Sequence, residues 1–397
     1  LFHIASHSKT FTSCAVLQLI EQGKLSFQQS AITYLPELRK HKDKRFQQIT
    51  LRDLLSNRSG LFRDGIDCTF WDLFKPFLSR EQLLQEVLAS DLVYPPNTSS
   101  KYSNIGFSLL GLILENVLCM PYEKVIDKLI LKKLKNTQIS SDFSETLRPI
   151  LADGHSRPFL KGQRLPVQHF ETLSMAPATG FIANAEDTTF FFDKLLLGQG
   201  LITKEMQQEL LTLNWPVKNT SQERYGLGLG FNKLSNCDVI GHAGGYPGFS
   251  TLTLLWAGTD YVISFFLNTN ELVHLPAIKS IIQIIQKTDV IFTPMEAKTA
   301  ILSGPMLHKW GGHLFVLSRG NGLRLPLDSW SPCDEAFLLK RKEGNMFVCD
   351  QQNGFYSPGE PIYFTEDKDK NISGVKWGSF SLYPEALFLE KFKKTLL

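Results

Sequence analysis

The chain has 397 residues, a formal net charge of +3, 43% hydrophobic and 20% charged residues. That length suits one large domain with a small one, or two to three domains, each able to bury a core. The charge is too slight to argue for nucleic acid, and the basic runs "RKHKDKR" (39–45) and "KKLK" (132–135) are short and interrupted, as solvated surface is.

Ser6 to about Gln22 is predicted as a helix. Apolar residues recur at Phe11, Cys14, Ala15, Leu17, Leu19 and Ile20, and Gly23 is a natural stop. Ser6 and Lys9 fall near its start at i, i+3 spacing, on one face. From about 30 to 210 the signals are mostly helical, broken by polar, proline-containing segments. One helix follows "YSN" and runs roughly from Ile105 to Leu118. It holds the longest apolar run, yet is too short to span a bilayer and carries Glu115, so no transmembrane segment is expected. "GFIANAEDTTFFFDKLLLG" (180–198) reads as a loop and then a helix opened by Glu186 and Asp187.

The texture changes after Arg224. "YGLGLGFNKL" and "CDVIGHAGG" read as short strands. "GFSTLTLLW" and "YVISFFLNTN" read as apolar strands joined at "AGTD", a hairpin turn. "AIKSIIQIIQK" (277–287) is a helix. The pattern is α+β: an antiparallel sheet flanked by helices, with a mostly helical subdomain. From about 300, segments such as "GGHLFVLSRGNGLRLPL" alternate between Gly, Asn and Asp punctuation. They predict a separate small all-β domain, a barrel or a sandwich. The expected domains are 1–290 and 300–397.

Six cysteines are spread widely, with no C-x-x-C and no His/Cys cluster at metal spacing. No metal and no cofactor is expected. The cysteines read either as buried thiols or as one or two disulfides. The chain opens at Leu1 rather than Met, so the true N-terminus and any targeting segment are expected to lie upstream.

Three short motifs carry chemistry. In "SHSK" (6–9), a lysine one turn after a serine can take the hydroxyl proton that makes serine a poor nucleophile. A helix start adds backbone N–H groups and a positive dipole end. In "KYSN" (101–104), a tyrosine phenol can relay protons, and an asparagine amide both donates and accepts. The bland alternative is that Ser103 or Asn104 only caps a helix. In "GHAGGYPGFS" (241–250), glycines let a ligand approach the strand backbone, whose N–H groups could hold an oxyanion. The bland alternative there is a glycine-rich turn.

S-x-x-K, then Y-S-N about a hundred residues on, then H-x-G before an apolar hairpin resembles the serine β-lactamase and penicillin-binding protein superfamily. The chain is most similar to the branch with a tyrosine in the second motif: class C β-lactamases, D-alanyl-D-alanine carboxypeptidases, D-aminopeptidases and related esterases. "ITLRDLLSNRSGL" (49–61), "ATGFIANAEDTTFF" (178–191) and the segments around the motifs extend the resemblance over about residues 1–285.

The resemblance implies a serine hydrolase acting through an acyl-enzyme on amide or ester bonds of a small-molecule or peptide substrate: a D-amino peptide, an ester or a β-lactam. It implies Ser6 as nucleophile, Lys9 as the base or its helper, and Tyr102 as the proton shuttle to the leaving group. Asn104 would bind the substrate amide and His242 would sense substrate charge. Gly244 and Gly245 complete the third motif, the Gly245 N–H joining that of Ser6 in an oxyanion hole. It favours a periplasmic or extracellular location.

Two departures qualify the expectation. His242 stands where most β-lactamases have lysine. A histidine is only partly charged at neutral pH, which favours a peptidase or esterase over an efficient β-lactamase. Family members also have two strands ahead of S-x-x-K that pair with the last strand of the sheet. Without them "YVISFFLNTN" is an open apolar edge, so an upstream segment or a partner chain is expected to cover it. The competing reading is a catalytically silent homologue that acts as a binding or scaffold protein. The aromatics of "RDGIDCTFWDLFKPF" (63–77) either line a substrate cleft or pack together.

Overall fold

The structure, a computed structural model, describes residues 1–289 except 74, 157–163, 199, 218–222, 235 and 271–273. Beyond 289 it describes 302–308, 311–317, 321–326, 337–349, 361–369, 371–377 and 380–392. The chain divides into two compact units, Leu1–Ile278 and Lys279–Leu397.

The first unit begins with a two-residue strand, β1 (Phe2–His3), and a single 3-10 turn at Ala5–His7. Helix α1 follows at Ser8–Glu21. The predicted helix therefore starts two residues late, and Ser6 lies in the turn ahead of it. Ala5 holds a left-handed φ of 48°. Ser8 Oγ donates to Ala5 O at 2.5 Å and accepts the Phe181 N–H at 3.0 Å, which braces the turn from inside. A non-glycine residue in this conformation is strained by about 1–2 kcal/mol, and a neighbourhood that over-determines it is needed to keep it there. Gly23, with φ 68°, ends α1 as the sequence predicts.

Helices α2 (Leu51–Leu55) and α3 (Arg80–Ala89) each open with a capping box, Thr50 with Asp53 and Ser79 with Gln82. Helix α4 (Asn104–Leu118) opens on Ser103, whose Oγ accepts the Gly106 N–H at 2.9 Å. Its residues from Asn104 to Leu114 are all buried, which explains a helix that is apolar all round. Short helices α5 (Tyr122–Ile126), α6 (Lys132–Leu134) and α7 (Ala176–Thr179) follow, then α8 (Ala185–Leu196), capped by Asn184, and α9 (Lys204–Thr212). A Cβ on Gly111 would come 2.1 Å from Pro177 Cγ, so a glycine is what lets α4 cross α7 this closely. Phe11 of α1 stacks on Phe181 and on Phe191 of α8, with centroids 4.5 and 3.6 Å away, and ties both helices into the core.

Strand β2 (Ile182–Ala183) pairs with β1. The main sheet is antiparallel, in the order β3 (Asn214–Pro216), β4 (Arg224–Gly226), β5 (Gly230–Leu234), β6 (Cys237–Tyr246), β7 (Phe249–Trp256) and β8 (Val262–Leu267). "YGLGLGFNKL", read as one strand, is two. Gly228 turns the chain at φ 80° and donates its N–H to Leu55 O at 3.0 Å. Of the glycine-rich third motif, residues 241–246 lie in β6, 247–248 form the turn and 249–250 open β7. β7 pairs with β6 from Val239 to Tyr246, whereas β5 reaches only to Gly241, which leaves His242–Tyr246 with one edge outside the ladder. Helix α8 packs against β7 and β8. Among the described residues no strand pairs with the outer edge of β8, apart from an isolated bridge of His155 with Thr269 just beyond its end.

Helix α10 (His274–Asp289) spans the division between the units. In the second unit β9 (Leu302–His308), β10 (Gly311–Leu317), β11 (Asn321–Pro326), β12 (Phe337–Glu343), β13 (Met346–Cys349), β14 (Pro361–Glu366), β15 (Ile372–Trp377) and β16 (Phe380–Pro384) close into a barrel, β16 pairing back to β9. Helix α11 (Glu385–Phe392) follows. Of barrel and sandwich, the chain forms the barrel. Its core includes Leu339, Phe347, Ile362, Phe364, Val375 and Leu382. Among the described residues no single helix is long and apolar enough to cross a membrane.

Candidate active site

The three motifs meet at one cleft of about 500 Å³, lined in part by Ser6, Arg63, Tyr102, Tyr225, His242 and Gly245. Each reaches it from a different element. The 3-10 turn presents Ser6, the residues ahead of α4 present Tyr102, and the free edge of β6 presents the third motif.

Ser6 Oγ sits between two groups. Tyr102 OH donates to it at 2.7 Å, and Lys9 Nζ lies 3.0 Å away. Lys9 is fully buried. Its Nζ also donates to Asn104 Oδ1 at 2.6 Å and to Ala178 O at 2.7 Å. Both of these oxygens are pure acceptors. A neutral amine has two hydrogens and one lone pair, so with both hydrogens spent its lone pair is left for the Ser6 hydroxyl. Burial pushes the Lys9 pKa well below the usual lysine range, Arg63 adds to that, and the Asp64 carboxylate opposes it. Burial moves the Tyr102 phenol the other way, above its ordinary value, which keeps it protonated and a donor.

Asn104 is buried, and its amide is used at both ends. Oδ1 accepts from Lys9, and Nδ2 donates to Asp64 Oδ1 at 2.5 Å. The expected contact with a substrate amide would compete with Asp64. His242 is likewise engaged at both nitrogens. Nδ1 lies 2.7 Å from Ala243 O, an acceptor, so Nδ1 carries the hydrogen; Nε2 then accepts from Tyr225 OH at 3.0 Å. Burial first, then Lys9 and His7, hold its pKa down at about 3. The ring is a neutral wall.

The paired glycines differ. A Cβ on Gly244 would meet Ile4 O at 2.2 Å, Thr251 Oγ1 at 2.3 Å and His7 Nδ1 at 3.0 Å. This glycine lets the Ser6 turn rest directly on β6. A Cβ on Gly245 would meet nothing within 4 Å. Gly244→Ala is therefore expected to cost about 1–3 kcal/mol of stability or more, while Gly245→Ala stays within about 0.5 kcal/mol. Denaturant unfolding of the two variants measures the contrast, and equal costs would contradict it.

Arg63, Asp64, Tyr225 and Ala178 join this site, and none was picked out from the sequence. Arg63 O accepts the N–H groups of Asn104 and Ile105 at 2.8 and 3.2 Å, which ties the 63–64 loop to the start of α4. The only sequence signal was a charged pair in a turn. Asp64 favours the charged form of Lys9. In Asp64→Asn that support is gone, the Lys9 pKa falls further, and any rate that needs neutral Lys9 has its acid limb moved to lower pH. A pH–rate profile of the variant measures this; a limb moved to higher pH would reverse the sign.

Of the aromatics in 63–77, Phe70 and Phe77 are buried and pack with Trp71, at centroid distances of 4.9 to 5.8 Å, and Phe74 lies outside the described residues. Cys14 and Cys237 are buried thiols, and Cys68 and Cys119 are exposed thiols. Cys333 lies outside the described residues, and Cys349 is described only as the end of β13. Among the described residues no group of three or more His, Cys, Asp or Glu could hold a metal ion.

A helical subdomain against an antiparallel sheet, with S-x-x-K at the junction, is the architecture of the serine β-lactamases and penicillin-binding proteins. The family model described as Beta-lactamase matches residues 1–282, and the chain belongs to that family. Its sequence is 26% identical over 272 residues to Protein flp of Staphylococcus aureus (strain N315), covering 68% of this chain and 53% of that protein. The chain thus spans about half the length of that curated relative. In fold it is similar to a D-stereospecific amidohydrolase from Streptomyces sp., with a TM-score of 0.61, 24% identity and coverage of 74% and 87% of the two chains. It is also similar to the octameric penicillin-binding protein homologue from Pyrococcus abyssi, at a TM-score of 0.60 and 17% identity. That likeness covers 96% of this chain and 88% of the other, and so takes in the barrel unit.

Proposed function

We propose that the chain is a serine hydrolase in which Ser6, Lys9 and Tyr102 transfer an acyl group from an amide or ester to water. The observation that carries this reading is the Ser6 hydroxyl held between a buried lysine of lowered pKa and a protonated tyrosine. Lys9 takes the Ser6 proton as Oγ bonds to the substrate carbonyl carbon. The carbonyl oxygen becomes an oxyanion, held by the N–H groups of Ser6 and Gly245. As the C–N or C–O bond breaks, the proton on Lys9 passes to the leaving group by way of the Tyr102 hydroxyl. Water then attacks the acyl-Ser6 ester with the same groups in reverse, and the acid is released.

Buried Lys9 fits the base role better than Tyr102, because burial favours a neutral amine and disfavours a phenolate. Asn104 positions Lys9, and His242 shapes the cleft. The D-stereospecific amidohydrolase fold supports amides of D-amino acids as the first substrates to try, with simple esters beside them. Intact-mass spectrometry after exposure to D-amino acid amides, nitrophenyl esters and penicillins tests the proposal. The expected result is an acyl increment on the peptide containing Ser6. No increment and no turnover with any of them would overturn it.

A further inference from the structure

A cleft with a neutral histidine in its third motif has lost the cation expected there, yet it is not without charge. Arg63 is the one Lys, Arg, Asp or Glu among its described lining residues. We propose that Arg63 is the specificity-determining cation of this site and binds a carboxylate on the substrate, from the helical-subdomain wall of the cleft and not from β6. This rests on the acyl-transfer reading above.

The geometry gives Arg63 a fixed root and an open head. Its carbonyl oxygen accepts two N–H groups at the start of α4, so its backbone moves with Tyr102 and Asn104. Its guanidinium carbon lies 5.6 Å from the centroid of the Tyr102 ring, and Tyr102 OH is bonded to Ser6 Oγ. The head is thus one side chain removed from the nucleophile. Nε is spent on Asp64 Oδ2 at 3.1 Å. The two terminal nitrogens lie beyond that contact on a side chain that is 64% exposed.

Asp64 does not cancel the cation for a ligand. Its side chain is only 12% exposed and is not part of the cleft lining, and its oxygens face Asn104 Nδ2 and Arg63 Nε. The pair therefore presents its positive end to the cleft. A planar guanidinium with two free nitrogens matches a carboxylate in a two-point contact, which a point charge does not. The contact is half-solvated, so it shows as selectivity that salt weakens.

Two matched pairs test this: the 4-nitrophenyl monoester of glutaric acid against 4-nitrophenyl methyl glutarate, and N-acetyl-D-alanyl-D-alanine against its C-terminal amide. In at least one pair the wild type is expected to prefer the acid. Arg63→Gln is expected to lower that kcat/KM ratio at least tenfold, and Arg63→Lys to retain part of it. Melting curves check that the variants are folded. Turnover with no acid preference in either pair, or a preference that survives Arg63→Gln, would overturn the inference and leave the acyl-transfer reading standing. No turnover of any of the four overturns the inference, while the acyl-transfer reading falls only if the D-amino acid amides, nitrophenyl esters and penicillins also give no acyl increment and no turnover.

Discussion

Ser6→Ala is expected to abolish covalent labelling by a fluorophosphonate or a fluorescent penicillin and to lower kcat/KM about 10⁴-fold or more. The magnitude follows from the position of the hydroxyl, the shared acceptor for Tyr102 OH and neighbour of Lys9 Nζ. No other hydroxyl is held by both groups among the described hydrogen bonds. Removing one oxygen from a half-buried turn leaves the packing of Ala5 and Gly244 intact, so the variant should unfold within about 1 kcal/mol of the wild type. Labelling that persists in folded Ser6→Ala would assign the chemistry to another residue.

Lys9→Met is expected to lower kcat by about 10²–10⁴-fold, the range of a positioned general base. The pH profile is the sharper readout. The base must be neutral, so the rate rises with pH through the Lys9 pKa. Burial lowers that pKa, so the plateau is reached well below the ordinary lysine value of 10.5. Lys9→Met should remove this acid limb and leave a flat residual rate. Its stability balances two opposing effects. The variant leaves Asn104 Oδ1 and Ala178 O without a donor, at about 1–3 kcal/mol each, but it also removes the cost of a buried amine. A loss of activity that scales only with unfolding, with the limb unchanged in the folded fraction, would make Lys9 structural.

The parts of the site that were legible in the sequence are those whose chemistry is local. Ser6 and Lys9 sit three residues apart, and Tyr102 and Asn104 two apart, so spacing alone pairs them. The α8 helix was legible in the helical spacing of its apolar residues, and the β7–β8 hairpin in two apolar runs joined at "AGTD". What escaped was decided through space. Whether Asn104 is open to a ligand depends on Asp64, forty residues earlier. Whether His242 is charged depends on its burial and on Lys9 and His7, more than two hundred residues earlier. Gly244 and Gly245 are identical letters with opposite surroundings. The third motif offered a strand or a glycine-rich turn, and the chain uses both: residues 241–246 continue β6, where Gly244 serves close approach, and 247–248 turn into β7. The barrel unit was visible as strand-length segments, but closure is a property of pairing between β16 and β9, far apart in the chain.

The contacts of the Lys9 amine nitrogen also say when function can appear as the chain folds. Its partners lie at positions 6, 104 and 178, and β1 finds its strand partner at 182–183. Loops of that length close late, after local helices have formed. Until residue 178 reaches residue 9, nothing fixes the amine beside the hydroxyl, and a half-folded chain has a serine of ordinary reactivity. Turnover should then return with the slowest refolding phase, behind the recovery of helical signal.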